Sequence, residues 1–156
     1  MIEPNELIAN PDCIVLDLKA ATGEEAIRAL QGELGAAAGG VADEGKFLGD
    51  LLERSRLASV CIAPEVAMPH ARTAAVERMV LAVGRTVEGC AFDAEHPAVR
   101  LVFLIGTPKE SAAEYLKLVA ALSRMLRTAT VRQGLLAATN EAEFLAWLAR
   151  GVKTKR

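Results

Sequence analysis

APEVAMPHAR, residues Ala63 to Arg72, holds the one histidine of this chain that follows directly on an apolar, strand-like run. Val60, Ile62, Val66 and Met68 fall at alternate positions, the period of a strand whose side chains face opposite ways in turn. Pro69 has no N–H for a ladder, so the strand is expected to end there. His70 then stands just past a strand end on a proline-held turn. A scaffold fixes it there while a partner can still reach it, which suits a nucleophile. The plainer reading is an ordinary half-buried histidine, since this residue type is intermediate in burial.

The surrounding chain narrows the choice. With 156 residues, 52% hydrophobic and 24% charged, it has the makings of one globular domain with a single substantial core. A net charge of −2, with lysines and arginines dispersed apart from Lys153-Thr154-Lys155-Arg156, argues against a nucleic-acid partner. The domain is expected to span 1–152, with 153–156 a solvated basic tail. Cys13, Cys61 and Cys90 are odd in number and widely spaced, which indicates neither a disulfide framework nor a zinc site. Each sits among apolar residues as a small hydrophobe. The opening MIEPNELIANPD lacks the basic and apolar regions of a leader, and no apolar run reaches membrane-spanning length. A cytoplasmic protein without membrane insertion is expected.

Taken in order, Cys13 to Leu18 reads as a strand. Thr22 with Glu25 forms a capping box for a helix beginning at Gly23 or Glu24, with Ala26, Ile27, Leu30 and Leu34 on one face and Gly39-Gly40 as its stop. Asp43 caps a second helix that runs past Leu51 to the neighbourhood of Arg54. Met79 to Val83 is a buried strand, Thr86 to Gly89 has turn chemistry, and Phe92 to Pro97 is a loop in which His96 is read as a solvated residue without a role. Val99 to Gly106 is the most hydrophobic strand and belongs at the centre of the sheet. Ser111 with Glu114 forms a further capping box. The stripe Tyr115, Leu118, Val119, Leu122 and Leu126 is core packing, and a short helix near Val131 to Ala138 precedes one capped by Asn140 and Glu143. The fold class is therefore α/β, a single-domain sandwich with a mixed central β-sheet flanked by helices on both faces.

This order of elements, with PHAR after the second strand region, then LAVGRTVEG, FLIGTP and EYLKLVAALSRML, resembles the type-2 (fructose/mannitol/nitrogen-regulatory class) enzyme IIA domain of the bacterial phosphoenolpyruvate-dependent sugar phosphotransferase system. The likeness covers almost the whole chain. It implies that His70 is the phosphoryl acceptor and that Arg54, at the end of the preceding helix, steadies the phosphoryl group. It also implies partners, the phosphocarrier HPr upstream and a IIB domain downstream, and no metal or organic cofactor. Where the family often has a second histidine after a glutamate, this chain has Tyr115 after Glu114, either a hydroxyl donor or a packed helix residue. Physical chemistry points the same way: imidazole is a competent nucleophile near pH 7, and a guanidinium forks onto phosphate oxygens. Arg72 is a further candidate helper. The arginine's place at a helix end predicts that its guanidinium lies on the same side of the sheet as the His70 ring, within reach of a shared phosphate or bound anion.

One turn departs from the family. A pattern like TGIGxGIAIPH is replaced by Val60-Cys61-Ile62-Ala63-Pro64-Glu65-Val66-Ala67-Met68-Pro69-His70, without the threonine and the glycines. A carboxylate at Glu65 turned toward His70 would oppose phosphorylation, whereas strand alternation favours its facing solvent. Two functions follow from this. One is a phosphoryl carrier passing a phosphoryl group from HPr to IIB in sugar uptake; the other is a regulatory protein-interaction module with the same fold and weak or absent transfer. A metal hydrolase at His70 lacks spaced ligands. The oligomeric state stays open.

Overall fold

The computed structural model describes residues 3–37 and 39–153, and the expected tail from 154 onward lies outside them. Six helices are described: α1 Pro4–Ala9, α2 Gly23–Ala37, α3 Glu44–Leu57, α4 Ala112–Arg127, α5 Ala129–Ala137 and α6 Glu141–Lys153. The strands are β1 Cys13–Val15, β2 Cys61–Ala63, β3 Val66–Ala67, β4 His70–Arg72, β5 Val80–Cys90 and β6 Val99–Thr107.

Caps start three helices. The Glu25 amide donates to Thr22 Oγ1 at 3.2 Å, and the Glu25 carboxylate reaches back to the amide of Ala21 rather than of Thr22. Asp43 accepts from the Lys46 amide, and Asn140 from the Glu143 amide. The capping box expected at Ser111 does not form: its backbone, at φ −106° and ψ 35°, is not extended, and its hydroxyl makes no cap bond. The opening segment, for which the sequence pattern predicts no element, is α1, started by Pro4 in the first turn and held by buried Leu7 and Ile8.

The sheet runs β1-β5-β6-β3-β2, with β4 also paired to β6. β1 is parallel to β5, and β3 and β4 are parallel to β6; the β5–β6 and β2–β3 pairs are antiparallel. Along β6, Leu101, Phe103 and Ile105 enter the layer under α1, α4, α5 and α6, while Val102 and Leu104 enter the layer under α2 and α3. All five are fully buried, each contributing about 1.5–3 kcal/mol, which accounts for a central strand that reads as one apolar run.

Three expectations need correction. Residues 60–68 are not one strand: Pro64 and Glu65 form a turn, and β2 pairs back on β3. Proline presets φ for such a turn and has no N–H to offer a ladder. Thr86 to Gly89 is not a turn but the continuation of β5, whose register against β6 shifts between Arg85 and Cys90; Gly89 takes a positive φ of 85° within that irregularity. The strand expected over 13–18 stops at Val15.

Two polar anchors position the sheet. The Asp12 carboxylate takes a fork from Arg78 at 2.8 and 3.3 Å and also the Leu81 amide, fastening the start of β1 to β5. Arg85 is nearly buried and donates to the carbonyls of Leu16, Leu135, Leu136 and Ala138, completing the C-terminal end of α5 where a helix leaves carbonyls unpaired. No helix among the described residues is long and apolar enough to cross a membrane.

Candidate functional site

β3 and β4 lie one after the other along the same edge of β6, interrupted at Met68-Pro69. Pro69 does break the ladder, but pairing resumes at once: its carbonyl accepts from the Ile105 amide, and His70 opposite Ile105 is the first residue of β4. The histidine therefore sits in a strand rather than beyond one. Among the described residues β4 pairs with β6 alone, so its other side is an open edge.

The His70 ring is held at two points. Nδ1 lies 3.0 Å from the Met68 carbonyl oxygen, and the ring centroid is 5.3 Å from that of Tyr115, tilted by 36°. A carbonyl only accepts, so Nδ1 carries the hydrogen and Nε2 keeps the free lone pair. Burial pushes the imidazole pKa below its ordinary value; the Met68 carbonyl opposes that shift and the charge of Arg54 adds to it. The neutral ring is favoured near pH 7. Burial raises the Tyr115 pKa, with Arg54 and Arg72 pulling the other way, so its hydroxyl stays protonated.

A cavity of about 320 Å³ opens at this edge, lined by His70, Arg72 and Tyr115, by Lys109, and by one face of α3 carrying Lys46, Asp50, Glu53, Arg54 and Leu57. Arg54 and the His70 ring line the same cavity, close enough for the Arg54 charge to act on the imidazole. Arg54 comes from α3 on one face, while the ring shares the face of Ile105 and meets Tyr115 of α4 on the other. The two share the cavity because the edge of β4 is open between these helices. Arg54 is aimed by a 3.2 Å bond from Nη1 to the Ala58 carbonyl, just past the end of α3, and Arg72 by a 3.1 Å bond to the Lys109 carbonyl.

Sequence reasoning missed Lys46 and Lys109. Lys46, Asp50 and Arg54 recur every four residues, a helix face visible in the sequence once the helix is assigned, whereas Lys109 is brought in only by the end of β6. Four cations stand against the carboxylates of Asp50 and Glu53, and Lys46 pairs with Asp50 at 3.5 Å. Glu65 is remote: its carbonyl accepts from the amides of Leu101 and of Arg100, the latter five positions from Ile105 or about 16 Å of strand, and its carboxylate faces Arg100 at 4.0 Å. Glu114 does not line the cavity. Cys13 and Cys90 behave as small hydrophobes, their thiols pushed up to about 11 by burial. His96 is not simply solvated; it lies beside Asp93 and Cys61, away from His70.

The cavity thus gathers four cations and two carboxylates around the His70 imidazole. Residues 7–151 match the family described as phosphoenolpyruvate-dependent sugar phosphotransferase system, EIIA 2. The fructose-specific EIIA component of Haloferax volcanii is 37% identical over 142 residues, covering 90% of this chain and 87% of that protein. The Escherichia coli 2-O-alpha-mannosyl-D-glycerate-specific EIIABC component is 31% identical over 144 residues, 90% of this chain and 22% of that longer protein. The crystal structure of mannitol IIA from Escherichia coli superposes with a TM-score of 0.74 at 29% identity, covering 87% and 95% of the two chains. The same IIA in complex with phosphorylated mannitol IIB gives 0.73 at 27%, covering 88% and 94%. The chain belongs to the type-2 EIIA family of the sugar phosphotransferase system.

Proposed function

We propose that the protein is a cytoplasmic histidine phosphoryl carrier that accepts a phosphoryl group from HPr on His70 Nε2 and passes it to a IIB domain. The observation that carries this reading is the 3.0 Å bond from Nδ1 to the Met68 carbonyl, which leaves the other nitrogen as nucleophile at a cation-lined cavity. In the forward step the Nε2 lone pair attacks phosphorus on the phosphohistidine of HPr. The donor N–P bond breaks, its electron pair returns to the donor ring, and a new N–P bond forms on His70 while Nδ1 keeps its hydrogen. The second step reverses these roles toward a cysteine or histidine of IIB.

Phosphoryl transfer depends on positioning and on charge placed around the equatorial oxygens. Arg54 is the first candidate for that charge, since it alters the His70 pKa, with Arg72 and Lys109 beside it. Tyr115 packs along the imidazole and keeps a neutral hydroxyl near the same cavity.

The test is incubation of the chain with phosphoenolpyruvate, enzyme I and HPr, followed by intact mass. One phosphoryl group is expected on the wild type and none on His70→Ala. Arg54→Ala should slow uptake by about a hundredfold, and Arg54→Lys should restore only part, because an ammonium cannot fork. Rapid uptake by His70→Ala would refute the assignment. The regulatory alternative is favoured by the missing glycines before His70, and it predicts a wild type that stays unphosphorylated under these conditions.

A further inference from the structure

We propose that Cys61, Asp93 and His96 form a binding site for a zinc-class divalent cation, separate from the His70 cavity. Among the described residues, one ligand atom from each of the three lies within 4.8 Å of the others. Zinc bonds to sulfur, nitrogen and oxygen at about 2.0–2.3 Å place tetrahedral ligands about 3.3–3.8 Å apart, so a closing movement of about 1 Å by half-buried side chains completes the set. A thiolate and an imidazole beside one carboxylate select zinc over magnesium or calcium, which take oxygen ligands.

The surroundings are built to hold these groups. Asp93 and His96 close a small turn, in which the His96 amide donates to the Asp93 carbonyl and the Phe92 amide to the His96 carbonyl. The Asp93 carboxylate accepts from the Glu95 amide and from Ser59 Oγ, both at 3.0 Å, and the same Ser59 oxygen accepts from the Cys61 amide. Such outer contacts orient metal ligands. His96 Nδ1 lies 2.7 Å from Asp93 Oδ1, so a cation replaces the hydrogen now shared between them and that hydrogen moves to Nε2. Burial keeps the Cys61 thiol protonated, and binding releases its proton to solvent. Three protein ligands leave a fourth position, and Asp93 lines a cavity of about 580 Å³, with Arg56, Ser59, Phe92 and Glu95, from which water or a small anion reaches it. The cation would fasten β2 to the loop after β5 and steady Ser59, next to the Ala58 carbonyl that aims Arg54.

The experiment uses the full chain without an affinity tag, stripped with chelator, then titrated with zinc against a chromophoric competitor and with cobalt for thiolate-to-metal charge-transfer absorption. One equivalent is expected, with the thiolate band. Cys61→Ser should abolish the band, His96→Gln should weaken binding by at least about tenfold, and Ser59→Ala by about 10–100-fold. Cys13→Ser and His70→Gln should bind as the wild type does. Affinity weaker than about 1 mM, a cobalt spectrum without the thiolate band, or full binding by His96→Gln would each overturn the proposal. His96 lies in a half-exposed loop, so its variant tests the site even if Cys61→Ser misfolds.

Discussion

Gly106 couples the packing of α3 to the edge of β4 that carries His70. It pairs with Ala71 of β4, and a Cβ built there would meet Phe47 Cζ at 2.6 Å, Phe47 Cε1 at 2.8 Å and Val80 Cγ2 at 3.0 Å. Ordinary carbon contacts are about 3.5–4.0 Å, so Gly106→Ala requires the Phe47 ring to move by about 1 Å. That ring is fully buried on α3, the helix that also carries Lys46, Asp50 and Arg54, and its displacement lifts this face from the edge of β4. Overpacking of this kind costs about 1–3 kcal/mol, offset by about 0.5–1 kcal/mol from the lost flexibility of glycine. At about 3 °C per kcal/mol for a chain of this size, the melting temperature should fall by a few degrees. The rate of phosphoryl uptake should fall more steeply, since a 1 Å misplacement costs up to about a hundredfold. Phe47→Leu in the same chain should recover part of both losses, a coupling that independent sites would not show. A Gly106→Ala protein with unchanged melting and unchanged uptake would refute the reasoning.

The acid limb of the pH–rate profile for phosphoryl uptake should lie below the ordinary histidine value of about 6.5, because burial and Arg54 depress the His70 pKa. The same shift makes the folded state bind fewer protons than the unfolded one, so this contribution to stability is complete above about pH 6.5 and is lost as pH falls through the folded pKa; His70→Gln should soften the acid loss seen in thermal melts. Arg85→Met should lower stability by at least about 2 kcal/mol in urea, because the carbonyls of Leu16, Leu135, Leu136 and Ala138 lose their donor; a midpoint within error of wild type would count against the anchor. Glu65→Gly should leave uptake from HPr unchanged, and a large gain in rate would mean that its carboxylate acts on His70 after all.

The layers were legible because their signals are local. Val99 to Gly106 could be nothing but a buried strand, and Thr22, Asp43 and Asn140 announce their helices with side chains that cap within three residues. The hairpin was hidden because Val60, Ile62, Val66 and Met68 keep even spacing across the Pro64-Glu65 turn, so period alone cannot show that the chain reverses there. Thr86 to Gly89 has the composition of a turn, and pairing with β6 on either side, at Arg85 and Cys90, carries β5 through it. At the candidate site, the motif and the helix-end position single out His70 and Arg54, and the structure brings both to one cavity. The open edge through which they reach one cavity was not legible, since it depends on β4 pairing on one side alone. Cys61 stands near Asp93 and His96 only because β2 folds back on β3, which no ligand spacing records.

The altered turn bears on function through distance. A glycine-rich approach to His70 would matter if the backbone around Pro64 and Glu65 touched the phosphoryl group. Here that turn lies at the far end of β3, about 16 Å along β6, where Glu65 is occupied with Arg100. The backbone next to the imidazole is Met68-Pro69, and it supplies one carbonyl to Nδ1, a contact that depends on no side chain at residues 60–65. Pro69, with its φ fixed, stiffens the backbone that carries that carbonyl. His70, Tyr115 and the cations around them are thus carried by β4, α3, α4 and the end of β6. The departure from the family pattern falls on β2 and the hairpin, beside Cys61. The same separation keeps the altered turn away from the His70 cavity, and the cysteine, aspartate and histidine of the proposed cation site gather beside the hairpin.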